Sequence, residues 1–306
     1  MEYDVIIIGG GPAGLSAGLY SARALKNTLI IESSAVGGQI MDTSEVQNLP
    51  GSVEDTSSFA IASRMEAQAR EFGANIVMEE VEEVDFTGDW KVVRTNANEY
   101  KARAVIIATG SHPRKLGAPG EENFVGRGVG YCATCDGAFY TGLPVYVIGG
   151  GDSAFDEGLF LATMASKVTI VYRGDKPRAA QLLQERVANR ENMEVVLNTN
   201  IVDLSGDVVL NRMVLENSVT GEQTVVEGDF GLFIFAGYQP NTQLFEDKLV
   251  LDRGYIGSDE STATEIPGIY AAGDVRRKST RQVVTAISDG AVAAIAAGKY
   301  IDEHFS

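Results

Sequence analysis

The sequence predicts an α/β fold with two Rossmann-like dinucleotide-binding domains, the second inserted into the first. A strand, a glycine-rich turn and a helix occur twice at a constant offset, because Val5–Gly11 recurs as Val145–Gly151. Each copy leads through its helix to a second apolar strand, Thr28–Ile31 or Lys167–Val171. This order is typical of parallel βαβ units, and its repetition indicates two such domains.

The insertion is predicted from two breaks in the chain and from the length of the tail. Ser111–Gly120 and Gly237–Thr242 are rich in Gly, Pro and polar turn residues, which mark breaks between structural elements. The tail after the second break is too short to build a third core, so we expect it to return to the first domain. The expected domains are 1–114 with 245–306, and 115–244.

Charge, hydrophobicity and cysteine content argue against a nucleic-acid-binding, membrane or secreted protein. The chain has 306 residues, a net charge of −17 and only two cysteines. This acidity repels polyphosphates, so we expect neither nucleic acid nor membrane as a partner. The longest strictly apolar run, Ala291–Ala297, is far shorter than the roughly 20 residues that span a bilayer, and Glu2 and Asp4 stand where a secretory signal has basic residues. Two cysteines three positions apart suit a cytoplasmic redox pair.

The first glycine-rich turn fits the pattern G-x-G-x-x-G. Gly9 allows the tight turn, Gly11 lets the backbone approach a pyrophosphate, and Gly14 lets the helix pack on the strand. The N-terminus of the helix then offers N–H groups to the phosphates. Glu32 closes the next strand, at the place where an acid would bind ribose hydroxyls. We interpret this copy as a dinucleotide site; a simple strand-to-helix turn is the alternative.

The second glycine-rich turn, Gly149–Ala154, fits the variant G-x-G-x-x-A. Its second strand ends in Tyr172 and Arg173 instead of an acid. An arginine at this place can accept a 2′-phosphate, which favours NADPH over NADH. The alternative is a duplicate that keeps the fold and has lost its ligand.

The two cysteines, Cys132 and Cys135, stand in a Cys-x-x-Cys pattern before the second turn. Such a pair can close a disulfide and reopen it, with one thiolate attacking and the other resolving. Asp136 follows directly and is placed to serve as an acid–base group; a turn aspartate is the alternative. A zinc site needs four ligands, and the chain adds only His112 and His304 to the cysteines. Zinc would therefore require a site shared between subunits, and we predict no metal.

These motifs, in this order, resemble the low-molecular-weight thioredoxin reductases, which are flavoprotein disulfide reductases. The strings that carry the resemblance are Gly9–Gly14, Gly37–Gln39, Ala108–Gly110, Cys132–Asp136, Gly149–Ala154, Gly273–Val275 and Arg281–Gln282. The resemblance implies FAD in the first domain and a pyridine nucleotide in the second. It also implies that Cys135 faces the flavin, that Cys132 attacks the disulfide of a thioredoxin-like protein, and that Asp136 handles the proton. A homodimer is implied as well.

The resemblance further implies the residues that bind the two nucleotides. Those for FAD are Gly9, Gly11, Pro12, Ala13, Gly14, Glu32, Gly38, Gln39, Asn48, Thr109, Gly110, Gly273, Asp274, Arg281 and Gln282. Those for the pyridine nucleotide are Gly149, Gly151, Asp152, Ser153, Ala154, Arg173 and Arg178.

The chain departs from the family in the string that holds the 2′-phosphate. Where the family has H-R-R-x-x-x-R, Tyr172–Arg178 reads Y-R-G-D-K-P-R, so Gly174 replaces the middle arginine. We therefore expect NADPH as the donor without strong preference, and Gly174→Arg to improve NADPH over NADH by about tenfold or more. The alternatives are NADH and, because of the basic triplet Arg276–Lys278, ferredoxin.

The order of the motifs also implies motion. The dithiol and the nicotinamide site belong to one inserted domain, and both must reach one flavin held by the other domain. We expect the inserted domain to turn, with hinges near Lys115–Gly117 and Asn241–Thr242. A hypothesis of another class is a non-catalytic, flavin-bound redox sensor, which would not turn over a dithiol substrate.

Overall fold

The computed structural model describes residues 1–42, 45–46 and 48–305. They form two compact units, one of residues 1–112 with the chain from 239 onward, the other of residues 113–238. The second unit is thus inserted into the first, and the predicted fold class is confirmed.

The strands are numbered here in chain order. They are β1 (Glu2–Ile8), β2 (Thr28–Glu32), β3 (Asn75–Met78), β4 (Val81–Asp85), β5 (Lys91–Thr95), β6 (Glu99–Ile107), β7 (Ser111–Pro113), β8 (Val129–Gly130), β9 (Pro144–Ile148), β10 (Lys167–Val171), β11 (Met193–Val196), β12 (Thr199–Ser205), β13 (Arg212–Asn217), β14 (Gln223–Glu227), β15 (Gly231–Ile234), β16 (Tyr238–Pro240), β17 (Leu251–Asp252), β18 (Tyr255–Ile256) and β19 (Ile269–Ala271). The α-helices are α1 (Pro12–Arg23), α2 (Ser58–Glu71), α3 (Ala133–Asp136), α4 (Asp152–Leu161), α5 (Gln181–Ala188) and α6 (Val283–Phe305).

The first unit is built on one sheet with the strand order β3-β2-β1-β6-β5-β4, and β19 lies beside the second half of β6. β1 pairs in parallel with β2 and β6. Because successive side chains of a strand point to opposite faces, Val5 and Ile7 pack with the helices, while Ile6 and Ile8 join a second cluster that contains Phe245. The tail returns to this sheet through β19, as the sequence predicts.

Helix α6 packs closely on α1 through small residues. A Cβ atom at Gly290 would lie 2.1 Å from the carbonyl oxygen of Ala13, and Ala293, Ala294 and Ala297 are buried. Within the described residues, α6 is the helix whose length and apolar composition would suffice to cross a membrane. A core helix meets the same criterion, and its packing on α1 identifies α6 as one.

The second unit repeats the architecture of the first on a smaller scale. Its parallel sheet has the order β11-β10-β9-β15-β8, and α4 connects β9 to β10 as α1 connects β1 to β2. An antiparallel sheet of β12, β13 and β14 is added to this core. Phe155, Leu161, Val147 and Phe233 are buried where α4 packs on the parallel sheet.

The second domain junction lies earlier than the sequence indicates, at 238–239 instead of 244–245. Residues 239–244 belong to the first unit because their side chains bond there. Asn241 donates from Nδ2 to the carbonyl of Thr109 at 2.7 Å, and Thr242 donates to the carbonyl of Gly254 at 2.9 Å. The segment expected to hinge at Asn241–Thr242 is therefore held within the first unit.

Candidate active site and nucleotide-binding loops

The first glycine loop requires glycine at two of its positions. Gly9 has φ +110°, and a Cβ atom there would lie 2.4 Å from the carbonyl oxygen of Ala108. A Cβ atom at Gly14 would lie 1.8 Å from the carbonyl oxygen of Gly9. α1 begins directly after Gly11 with Pro12 at its first position and has no side-chain cap. The start of α1 is thus left open for an anionic group.

Glu32 connects the end of β2 to this loop. One carboxylate oxygen accepts the N–H of Gly10 at 2.6 Å, and the other accepts the N–H of Ser34 at 2.9 Å. Each carboxylate oxygen can accept more than one hydrogen bond, so Glu32 retains capacity for ribose hydroxyls. The residue is 8% exposed, and its two bonds to backbone N–H groups fix the carboxylate before any ligand binds.

A second loop, which contains Gly37 and Gly38, packs against the first glycine loop. The N–H of Gly37 donates to the carbonyl of Gly10 at 2.9 Å. Gly38 has φ +58°, and a Cβ atom on it would lie 3.1 Å from Cα of Gly11. The two backbones are therefore close because both lack side chains here. Gln39 follows in the same turn, within a 3-10 helix that begins at Gly38.

A partly buried acid, Asp274, and a partly buried cation, Arg281, follow β19 near these loops. A Cβ atom at Gly273 would lie 2.8 Å from Cβ of Ala13, which brings Gly273 and Asp274 to the start of α1. Burial raises the pKa of Asp274, although Lys278 lies 3.3 Å away. In the part of the chain that the structure describes, Nε and Nη2 of Arg281 are buried and have no hydrogen-bond partner.

These features fit a flavin dinucleotide. An unsatisfied buried guanidinium is costly, and a bound ligand with acceptor oxygens would satisfy Arg281. The open helix start suits a pyrophosphate, and Glu32 suits a ribose. The sequence-predicted Asn48 and Gln282 also meet, since Nδ2 of Asn48 donates to Oε1 of Gln282 at 3.1 Å. The structure thus brings residues from several separate segments of the sequence to the first glycine loop.

Thr109 and Gly110 follow the end of β6. They are held by Asn241, which comes shortly after the second domain junction. Oγ1 of Thr109 donates to the carbonyl of Asn241 at 2.7 Å, and the N–H of Asn241 donates to the carbonyl of Gly110 at 3.0 Å. Nδ1 of His112 lies 2.7 Å from Oδ1 of Asn241. Thr109 and Gly110 are thus fixed in position beside Gly9.

The second glycine loop repeats the geometry of the first. α4 begins after Gly151 without a side-chain cap, so the N–H groups at Asp152 and Ser153 start an open helix. Ala154 occupies the place of Gly14 and is fully buried. Oδ1 of Asp152 accepts the N–H of Ala180 at 2.7 Å, which ties the start of α4 to the start of α5.

The two predicted arginines lie at the edge of this second loop. The N–H of Arg178 donates to the carbonyl of Gly150 at 2.6 Å, and Arg173 follows the end of β10. Both side chains are exposed.

The two cysteines form a disulfide at the start of a short helix. Cys132 and Cys135 are bonded to each other, with their Cα atoms 5.3 Å apart. Cys132 caps α3, and its carbonyl accepts the N–H groups of Cys135 and Asp136 at 3.3 and 3.1 Å. Oγ1 of Thr134 lies 3.4 Å from Sγ of Cys132. Both cysteines are partly exposed, as a reactive pair requires.

Asp136 stands at the end of α3, directly after the disulfide. A Cβ atom at Gly130 would lie 3.2 Å from Oδ2 of Asp136, so Gly130 makes room for the carboxylate. Burial raises the pKa of Tyr140, and the negative charge of Asp136 raises it further. The carboxylate is therefore partly buried beside Gly130 of β8 and near Tyr140, close in sequence to both sulfurs.

A buried acid that was not predicted from the sequence fixes the chain before the dithiol. Glu121 is 1% exposed. Its carboxylate accepts the N–H groups of residues 116–118 at 2.8 to 3.3 Å and the hydroxyl of Tyr131 at 2.7 Å. Tyr131 directly precedes Cys132, and its carbonyl accepts the hydroxyl of Tyr238 at 2.9 Å. In the sequence, the one indication of this role is that Glu121 directly follows the breaker-rich segment Ser111–Gly120.

We expect Glu121→Gln to lower the free energy of unfolding by on the order of 3 kcal/mol, because several hydrogen bonds to a buried charge are lost or reversed. Glu122→Gln is the matched control. Its side chain is 73% exposed and pairs with Lys115 on the surface, so a change within about 0.5 kcal/mol is expected. Urea unfolding of both variants measures the difference. Equal losses in the two would show that Glu121 is not an anchor.

A second residue that was not predicted is Glu157 on α4. Its Oε2 is buried without a hydrogen-bond partner among the described residues, and burial raises the pKa of its carboxyl, with the charge of Asp156 acting in the same direction. Glu157 lies near the middle of α4, in the helix that begins at the second glycine loop. In the sequence, Glu157 stands four residues after Ser153, a spacing that places both residues on one face of a helix.

Each side chain of the basic triplet is paired with an acid, so the triplet lends little support to ferredoxin docking. Arg276 pairs with Asp289 at 2.9 Å, and Lys278 pairs with the same carboxylate at 3.0 Å. The two cationic side chains are only 13% and 12% exposed. Arg277 pairs with Asp252 at 2.9 Å. Across the described residues, no group of three or more His, Cys, Asp and Glu side chains is placed to hold a metal.

Comparison with known proteins agrees with this arrangement. The family described as Pyridine nucleotide-disulphide oxidoreductase matches residues 3–290. The chain is 49% identical to a thioredoxin reductase of Peptoclostridium litorale, over 99% of this chain and 98% of that protein. It is 44% identical to the thioredoxin reductase of Bacillus subtilis, over 98% and 95% of the two. The crystal structure of thioredoxin reductase from Streptococcus pyogenes matches with a TM-score of 0.93 at 39% identity, over 99% of both chains. We conclude that the chain belongs to the pyridine nucleotide-disulphide oxidoreductase family and, within it, to the low-molecular-weight thioredoxin reductases.

Proposed function

We propose that this flavin-dependent disulfide reductase passes electrons from NADPH to a thioredoxin-like protein through the Cys132–Cys135 pair. The observation that carries the proposal is the disulfide at the start of α3, with Asp136 one residue beyond it. The family supplies the flavin and nicotinamide chemistry, and the names of the relatives supply the thioredoxin-like substrate. When bound, FAD would supply the two-electron carrier between nicotinamide and disulfide.

The residues around the first glycine loop would hold FAD. The start of α1 would bind the pyrophosphate, Glu32 the ribose, and Arg281 with Asp274 the polar groups further along the cofactor. The second loop and the arginines Arg173 and Arg178 would hold the nicotinamide dinucleotide. These assignments rest on the open helix starts and on the unsatisfied Arg281 guanidinium.

The chemistry of the dithiol balances as two thiol–disulfide exchanges. Two electrons and one proton cleave the Cys132–Cys135 bond, leaving one thiol and one thiolate. The Cys132 thiolate attacks the substrate disulfide, which forms a mixed disulfide and releases one substrate thiolate. The Cys135 thiol then loses its proton, through Asp136, to the substrate thiolate already released, attacks Cys132, restores the internal disulfide and releases the second substrate thiolate. Asp136 is placed to hold or deliver the proton at the nearby sulfur.

The donor is tested by anaerobic titration of the FAD-loaded protein. We expect both NADPH and NADH to bleach the flavin absorbance, with NADPH effective at about tenfold lower concentration at most. Two arginines remain for the 2′-phosphate, and one charge-assisted contact of roughly 1.5–3 kcal/mol is missing. Bleaching by reduced ferredoxin, with neither nucleotide effective, would show that the second loop has lost its ligand. The homodimer and the cytoplasmic location remain predictions; light scattering tests the former.

A further inference from the structure

The ring of Tyr172 occupies a special place in the second glycine loop. When the two sequence copies are matched from Val5 and Val145 onward, Gly150 corresponds to Gly10, and Tyr172 corresponds to Glu32. In the first copy, the Glu32 carboxylate accepts the N–H of Gly10. In the second copy, the aromatic ring lies against the loop instead, since a Cβ atom at Gly150 would lie 2.4 Å from two of its ring carbons.

The same ring also lies against Gly174. A Cβ atom at Gly174 would lie 2.7 Å from Cε1 of Tyr172 and 3.1 Å from its hydroxyl oxygen. Neither Gly150 nor Gly174 has a positive φ, so the backbone does not demand glycine at these positions. It is the ring between them that leaves no room for a side chain.

Two arginines follow Tyr172 in the sequence, and the ring itself carries a neutral hydroxyl. Arg173 and Arg178 are exposed, and Arg178 is bonded through its N–H to Gly150. Among the described residues, no hydrogen bond involves the hydroxyl of Tyr172. The hydroxyl is thus available to the ribose of a nucleotide whose pyrophosphate lies at the start of α4.

We propose that Tyr172 determines how the site treats the 2′ group of the nicotinamide donor. The ring takes the space that an arginine side chain at 174 needs, and its hydroxyl offers a neutral partner to a free ribose 2′-hydroxyl. The site therefore binds a nucleotide with a free 2′-hydroxyl nearly as well as one with a 2′-phosphate. This proposal rests on the proposed nicotinamide donor, and it changes the expectation for Gly174→Arg, which cannot act while the ring is in place.

The test is a set of variants titrated with NADP⁺ and NAD⁺ by calorimetry, using FAD-loaded protein. The measured quantity is the ratio of the two dissociation constants, which is expected to favour NADP⁺ by at most about tenfold in the parent protein. Gly174→Arg alone is expected to leave the ratio within about threefold, because the ring blocks the new guanidinium. Tyr172→His with Gly174→Arg is expected to raise it by about tenfold or more, since a third charge-assisted contact forms.

Tyr172→Phe with Gly174→Arg is the control for ring volume. Its dissociation constant for NADP⁺ is expected to match that of Gly174→Arg alone, whereas NAD⁺ is expected to bind a few-fold more weakly, because the hydroxyl that faces the ribose is lost. FAD content and thermal unfolding verify that each variant is folded. A tenfold rise of the ratio in Gly174→Arg alone, or a tenfold tighter binding of NADP⁺ in the phenylalanine control, would overturn the role of the ring while leaving the nicotinamide donor in place. If no folded protein, parent included, binds either nucleotide, both the role of Tyr172 and the proposed donor are wrong.

Discussion

Cys132→Ser and Cys135→Ser are each expected to abolish reduction of a thioredoxin-like substrate, because neither variant can form the internal disulfide that resolves the reaction. The two should differ in their flavin spectra. Cys132→Ser leaves a Cys135 thiolate, which we place next to the flavin, and a long-wavelength charge-transfer band is expected. Cys135→Ser leaves Cys132, which we propose as the attacking sulfur, and no such band is expected.

The spectra and the trapped products together assign the two roles. In the Cys135→Ser variant, Cys132 should form a stable mixed disulfide with the substrate, since nothing resolves it. Mass spectrometry of the non-reduced adduct identifies the sulfur involved. Bleaching of the flavin by NADPH should persist in both variants. A charge-transfer band confined to Cys135→Ser would reverse the assignment of the two cysteines.

Asp136→Asn is expected to slow electron exchange with the dithiol by about 10²–10⁴-fold, the range typical of a lost acid–base group. The amide cannot take up or deliver a proton at the sulfur, whereas it keeps the shape of the side chain in the space beside Gly130. Reduction of the flavin by NADPH should stay nearly unchanged, because that step does not use the dithiol. Stopped-flow absorbance separates the two half-reactions.

The matched control for this variant is Asp156→Asn. Asp156 is an exposed acid on α4 of the same unit, so the substitution makes the same change in charge away from the sulfurs. Its rates should lie within about twofold of the parent protein. Turnover of Asp136→Asn within a few-fold of the parent would mean that Asp136 is only structural.

The glycine loops and the dithiol could be predicted because their chemistry is local. Gly9 has a positive φ within the turn, and Gly14 packs on the carbonyl oxygen of Gly9. The spacing of Cys132 and Cys135 fits a bond across one helical turn. The insertion was also predictable, since the recurrence of Val5–Gly11 as Val145–Gly151 is visible in the sequence. In each case the information lies among near neighbours in the chain or in a repeat.

What the sequence could not show is which side chains meet in the folded chain. The Glu121 carboxylate bonds Tyr131, and Asn241 bonds Thr109 from a distant part of the chain. Arg276 looks like part of a basic patch in sequence, yet Asp289 neutralises it on α6. Likewise, Gly174 reads as a lost arginine until the Tyr172 ring is seen against it. Pattern alone carries no information on which partners such side chains meet.

The most direct test of the electron path is an anaerobic reduction and reoxidation cycle. FAD-loaded protein is reduced with NADPH and then mixed with oxidised thioredoxin while the flavin absorbance is followed. The absorbance is expected to bleach and then to return in the parent protein. In a variant that carries both Cys132→Ser and Cys135→Ser, it is expected to bleach and stay bleached. An equal return of absorbance in that variant would contradict an electron path through the Cys132–Cys135 pair.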